Sequence, residues 1–236
     1  MLIRHKFSWT LALTCLQIVH GMTSESSNLI YFLESGGLNE AYSDIMACAM
    51  EFTVGDNLDV PDFTVGEALG KSFLRHMEFP SEDGKSIDTY CDYEHGMNVH
   101  YSSGYLNRAY VHAVRECEST CGTTSECAIL LADTFMYTNL ETLCMIANFR
   151  GAAEQTCRNV GDYYAAHSPA TGCTIEQTRD AVIAGFAAVG VAMTADKCEA
   201  TITCQRKCLL EQATDAFRNG FEFGKRICQY LGQYFF

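Results

Sequence analysis

The sequence predicts an all-α, disulfide-rich helical bundle of about seven helices, arranged as two similar halves. Three observations predict it. Apolar residues recur at helical spacing and no stretch alternates at period two. Three prolines, Pro61, Pro80 and Pro169, fall at breaks between those segments. Thirteen cysteines include two ladders of nearly equal length: Cys91, Cys117, Cys121, Cys127 and Cys144, then Cys173, Cys198, Cys204, Cys208 and Cys228. The steps are 26, 4, 6 and 17 residues in the first and 25, 6, 4 and 20 in the second.

The first element is a secretory leader over residues 1–21. Arg4, His5 and Lys6 form a basic n-region, Phe7–Val19 is apolar, and Val19 and Gly21 suit positions −3 and −1 of a cleavage site. The run is too short for the roughly 20 apolar residues of a membrane span. An N-terminal helical segment with acidic loops, 22–90, follows. It contains a helix over Leu38–Phe52 with Ala41, Tyr42, Ile45, Met46 and Ala49 on one side. Thr64 with Glu67 reads as a capping box opening a helix to about Glu78.

The first ladder half, 91–156, contains the amphipathic series Tyr105, Leu106, Ala109, Tyr110, Ala113, Val114, Cys117. Gly122 ends that helix, and Thr123 with Glu126 caps the next, which runs through Ile129, Ala132, Met136, Leu140, Leu143 and Ala147 to Arg150–Gly151. A shorter helix, about Ala152–His167, leads into the second half, 157–236. There Thr174 and Gln177 cap a helix, and a last one carries Leu209, Ala213, Phe217, Phe221 and Ile227. Ala181–Met193 has thirteen residues without a charge. It predicts a central helix in which Gly185 and Ala188 let neighbours approach.

Loss of the leader would leave 14 basic against 29 acidic residues, a net charge of −15. Such a chain repels nucleic acid and anionic membrane. Loss of Cys15 leaves twelve cysteines, an even number for an oxidising compartment: Cys48, Cys91, Cys117, Cys121, Cys127, Cys144, Cys157, Cys173, Cys198, Cys204, Cys208 and Cys228. All are disulfide candidates, with connectivity open. The absence of C-x2-C and the scatter of His76, His95, His100, His112 and His167 argue against a zinc site, so no metal or cofactor is expected.

The motif search finds no H-E-x-x-H, P-loop, G-x-S-x-G or dinucleotide fingerprint. Glu34-Ser35-Gly36-Gly37 offers an acidic Ser-Gly context for glycan attachment, or a plain turn. Cys91-x25-Cys117-x3-Cys121 is similar to the first three cysteines of insect odorant-binding proteins, helical carriers of apolar ligands, whereas Cys127 and Cys144 depart from that pattern. The leading expectation is a secreted, extracellular, non-enzymatic protein acting on an unknown extracellular protein partner or in the matrix. A carrier of a small hydrophobic ligand is the alternative, and a secreted enzyme the third. A carrier should show an enclosed apolar cavity. An enzyme should show a cleft where carboxylates and a histidine converge with shifted pKa values.

Overall fold

The computed structural model describes residues 2–54, 61–66, 73–169 and 171–203. Among them are seven α-helices: α1 (Leu2–Glu25), α2 (Leu33–Val54), α3 (Val99–Ser102), α4 (Gly104–Thr120), α5 (Thr124–Glu141), α6 (Phe149–His167) and α7 (Ile175–Ala188). Two short antiparallel pairs accompany them. β1 (Thr64–Val65) pairs with β2 (Arg75–His76), and β3 (Val191–Met193) with β4 (Ala200–Ile202). The helical bundle is therefore observed, with hairpins where purely helical structure was expected.

The core follows from the apolar stripes. Tyr42 of α2, Tyr105 and Tyr110 of α4, Phe135 of α5, Phe149 of α6 and Phe186 of α7 are all fully buried. Tyr105 lies over Phe149 with ring centroids 4.7 Å apart, and Phe135 stacks on Phe186 at 5.7 Å. Aromatic pairs at these separations add to the area they bury. α4 and α7 pack closest, because Gly185 has no side chain: a Cβ there would run into the Ala109 carbonyl and come within 2.8 Å of the Ala113 methyl. Ala188, expected to share this role, is exposed.

Cap chemistry sets the helix ends. Thr123 and Glu126 form the expected capping box of α5, and Thr174 and Gln177 that of α7. Two boundaries differ. α5 stops at Glu141, because Asn148 accepts from the Gly151 amide and starts α6 there. α7 stops at Ala188, and Val191–Met193 continues as β3, so the apolar run is eight residues of helix, a two-residue turn and three residues of strand. The box at Thr64 is not a helix start. Asp62 accepts from the Thr64 amide and hydroxyl, both at 2.7 Å, and the chain enters β1.

The ladders do not form two equivalent halves. Cys117 lies on α4, whereas its expected counterpart Cys198 sits in the β3–β4 turn at φ 48°. Cys204, Cys208, Cys228 and the expected last helix lie outside the described residues. The bridges join Cys117 to Cys127, Cys121 to Cys173 and Cys157 to Cys198, with Cα separations of 5.7, 5.0 and 5.6 Å. Cys91 is also disulfide-bonded. Cys48 is a buried thiol donating to the Asp62 carbonyl at 3.5 Å, and Cys144 is an exposed thiol. The Glu116–Cys127 corner stands as read, one helix ending and the next beginning across the Cys117–Cys127 bridge.

The segment expected to be a leader is packed into the fold. Cys15, Leu16 and Val19 are buried, and the Thr23 hydroxyl accepts from Asn139 on α5 at 2.8 Å. Among the described residues no helix is long and apolar enough to cross a membrane.

Candidate functional site

The site is built around α2. Glu40 and Asp44 lie one turn apart and so share a face, and both are buried, at 6% and 2% exposure. Gly36 and Gly37 seat the start of this helix. A Cβ at Gly36 would strike Val99, and one at Gly37 would lie 2.9 Å from the Phe149 ring. That approach brings α3 against α2. The Asn98 side chain caps α3 by accepting from the His100 amide at 3.0 Å, which fixes His100 over Glu40. Ser35, the residue of the expected glycan site, is buried and donates to the Ile30 and Phe32 carbonyls.

Four side chains converge on the Glu40 carboxylate. His100 Nδ1 donates to Oε2 at 2.7 Å, since a carboxylate can only accept. The Tyr31 hydroxyl donates to Oε1 and lies 3.3 Å from His100 Nε2. His20 Nε2, from α1, is 3.6 Å from Oε1. Arg75, held by β2, places Nη2 4.0 Å from Oε2 and Nε 3.4 Å from Asp44. Asn107 of α4 donates to the same Asp44 oxygen, Oδ2, at 2.8 Å. All but Asn107 line a cleft of about 730 Å3, together with Leu16, Gln17, Asn39, Leu74 and Tyr101.

The electrostatics follow from burial. Burial raises the Asp44 carboxyl above its ordinary range, with the Arg75 charge and the Asn107 hydrogen bond pulling it back. Burial first, and then the hydrogen bond to Glu40, pushes the Tyr31 phenol well up, so it remains a proton donor at neutral pH.

Two of these groups suit a metal. His20 Nδ1 donates to Asn39 Oδ1 at 2.6 Å, and Asn39 in turn donates to the Leu29 carbonyl at 3.2 Å. The lone pair of Nε2 is thereby turned toward Glu40, the usual second partner and tautomer of a metal-bound histidine. Among the described residues, only the Cys117, Cys127 and Cys173 sulfurs bring three donors within 4.8 Å of one another. All three are committed to disulfides.

Among the described residues, none of the cysteines expected to matter lines this cleft, and none of Glu40, Asp44, Arg75, Tyr31 or His20 was singled out from sequence. His100 was noted only as one of several scattered histidines. One signal was available: Glu40 and Asp44 interrupt the apolar face of α2 beside Ala41 and Ile45. Acids at two core positions one turn apart need buried partners.

Comparison with known proteins agrees with the cleft. Residues 27–191 match the model of the thermolysin metallopeptidase α-helical domain. The chain is 47% identical over 96 residues to the neutral protease of Vibrio proteolyticus, covering 40% of this chain and 15% of that protein. It is 45% identical over 95 residues to the transglutaminase-activating metalloprotease of Streptomyces mobaraensis, covering 39% and 12%. To bacillolysin of Bacillus cereus it is 32% identical over 185 residues, 74% of this chain and 31% of that protein. The chain thus spans about 12–31% of the length of these relatives. Its fold resembles the precursor of protealysin, a metalloproteinase from Serratia proteamaculans, with a TM-score of 0.59 at 22% identity over 77% of this chain and 57% of that one.

These matches overturn the expected non-enzymatic interaction or matrix role. The proteins it matches are metalloproteases, which contradicts the expectation of a protein that is not an enzyme. The internal repeat has no support either: one domain model takes in the whole first ladder and, of the second, only Cys173, as a single unit over residues 27–191. A match over residues 27–191 and a buried carboxylate–histidine cleft lead to one conclusion: the chain belongs to the thermolysin metallopeptidase family, through its α-helical domain.

Proposed function

We propose that this chain cleaves peptide bonds at the Glu40 cleft. In this reading Glu40 and His20 are metal donors, and Tyr31, His100 and Arg75 grip the substrate. The observation that carries it is the convergence of Tyr31, His20, His100 and Arg75 on one buried carboxylate inside a metallopeptidase domain. A peptide carbonyl oxygen entering the cleft meets the Tyr31 hydroxyl, the His100 ring and the Arg75 guanidinium. Donors fixed in place before the substrate arrives stabilise the negative charge that develops on such an oxygen. With His100 Nδ1 committed to Glu40, Nε2 is the atom able to exchange a proton with the substrate.

Zinc is the metal that the family implies, and the fit is partial. Catalytic zinc sites use three protein ligands and one open position. His20 Nε2 and the Glu40 carboxylate have the right chemistry and orientation for two. The helical position one turn before His20 is Leu16, which cannot bind a metal. The donor set among the described residues is one short, and no catalytic step is derived through the metal.

The partner in this reading is a peptide substrate, and the setting is extracellular, supported by the disulfides, which persist in oxidising compartments. Cleavage after Gly21 would remove His20 from the cleft. A peptidase that uses His20 therefore keeps residues 15–25 in the mature chain.

The test is hydrolysis of a fluorogenic peptide at saturating zinc. We expect cleavage that a chelator stops, and that falls at least ~100-fold in both Glu40→Gln and His100→Ala while the fold is intact. Cleavage indifferent to chelator and to both substitutions would refute the reading.

A further inference from the structure

Leu16, Gln17 and His20 all face the cleft from α1, and Leu16 and His20 are one helical turn apart on the same side. Zinc peptidases of the H-E-x-x-H type bind metal through two histidines at this spacing, with the glutamate between them as general base. Leu16-Gln17-Ile18-Val19-His20 reproduces that frame position for position. A leucine stands where the first histidine would be, and an amide where the carboxylate would be. The rest of the apparatus is intact: His20 retains its orienting bond to Asn39, and Glu40 stands 3.6 Å from its Nε2. His100 does not fill the gap, because His20, Glu40 and His100 do not bring three donor atoms within 4.8 Å of one another.

We infer that this chain holds zinc through two side chains only, His20 and Glu40, so that the metal exchanges readily and its occupancy follows free zinc. The inference rests on the metallopeptidase reading of the cleft and identifies position 16 as the missing ligand. Leu16 is 8% exposed and lines the cleft, so a donor placed there meets the same space as His20 and Glu40. Gln17 has no group that can accept a proton at neutral pH, so adding a ligand and adding a base are separable changes.

The test is zinc binding by the full chain, by competition with a chromophoric chelator, with zinc alone as the probe. Leu16→His should bind one zinc at least ~100-fold tighter than wild type, a first ligand counting for no less than an orienting partner. Leu16→Cys, smaller and tolerant of an apolar site, should also gain and serves if the histidine disturbs folding. Ile18→His adds an imidazole on another side of α1, where residue 18 is exposed, and should stay within ~3-fold of wild type. Adding His20→Ala to Leu16→His should remove the gain.

Two results would overturn the inference. One is wild-type protein that keeps one zinc per chain through gel filtration in metal-free buffer. The other is folded Leu16→His and Leu16→Cys variants that bind no tighter than wild type. The peptidase reading fails separately: a Leu16→His/Gln17→Glu chain that binds zinc tightly and cleaves no peptide would sink that reading and leave the ligand inference standing.

Discussion

Asn107→Leu tests how the cleft is kept charged from behind. Asn107 is buried on α4 and donates at 2.8 Å to Asp44 Oδ2, the same oxygen that Arg75 Nε approaches at 3.4 Å. Leucine keeps the volume and removes the donor. A hydrogen bond to a buried charge contributes roughly 1.5–3 kcal/mol. At about 2–4 °C per kcal/mol for a domain of this size, the melting temperature near neutral pH should fall by roughly 3–12 °C. The loss should depend on pH, and its sign follows from Asp44. Burial raises the folded carboxyl, Arg75 and Asn107 lower it, Glu40 raises it and His100 lowers it. Between the unfolded value, about 3.9, and the higher folded value, the folded chain binds more protons, so stability falls as pH rises through that window. Removing Asn107 raises the folded value further and extends the window upward.

At a pH below both values the carboxyl is neutral in both proteins, and the lost bond counts for less. The substitution also removes Asn107 Oδ1, a buried acceptor without a hydrogen-bond partner. The acid penalty should therefore shrink toward zero. The assay is thermal unfolding of both proteins at about pH 7.5 and about pH 3, below the unfolded value, repeated in an Asp44→Asn background where the difference should disappear. A loss equal at both pH values, or larger in acid, would refute the account.

Two further outcomes concern the scaffold. The Cys121–Cys173 bridge closes a separation of 52 residues between the α4 corner and the start of α7, so replacing both cysteines by serine should cost about 4 kcal/mol on loop entropy. Denaturant unfolding measures it, and a loss below about 1 kcal/mol would show that the corner holds without the bridge. Gly185→Ala sets two effects against each other. Helix propensity favours alanine by about 1 kcal/mol, while the methyl collides with the Ala109 carbonyl at a cost of about 3 kcal/mol. The variant should be less stable by about 2 kcal/mol, and a stabilised variant would show that α4 and α7 have room to spare.

Helices marked by both an apolar stripe and a cap were legible in the sequence. α5 and α7 carry both signals, and Thr123 and Thr174 start them as read. Thr64 misled because a hydroxyl followed three residues later by glutamate is a local pattern. Asp62 competes for the same amide two residues earlier and turns the chain into β1. The cysteine ladder misled for a related reason. Spacing along a chain carries no information about partners, and Cys157, in neither ladder, is what binds Cys198.

The cleft was hidden by the same habit of reading each segment alone. α1 has the charge and length of a leader, yet Cys15, Leu16 and Val19 are buried against the fold and His20 reaches Glu40. An apolar run with one polar side is equally the sequence of a helix that must face a core and a site together. H-E-x-x-H is found by its ligands, so a helix that has exchanged one ligand and the base for leucine and glutamine escapes the search while keeping the geometry that defines it. What survives such exchange is the cost of burial. Glu40 and Asp44 could sit one turn apart in a packed helix only if cations and donors were brought to them, and Arg75, Asn107 and His100 come from three different elements to do so. A pair of buried carboxylates on an apolar stripe therefore points to a site whose partners lie elsewhere in the chain, even where no motif remains to name it.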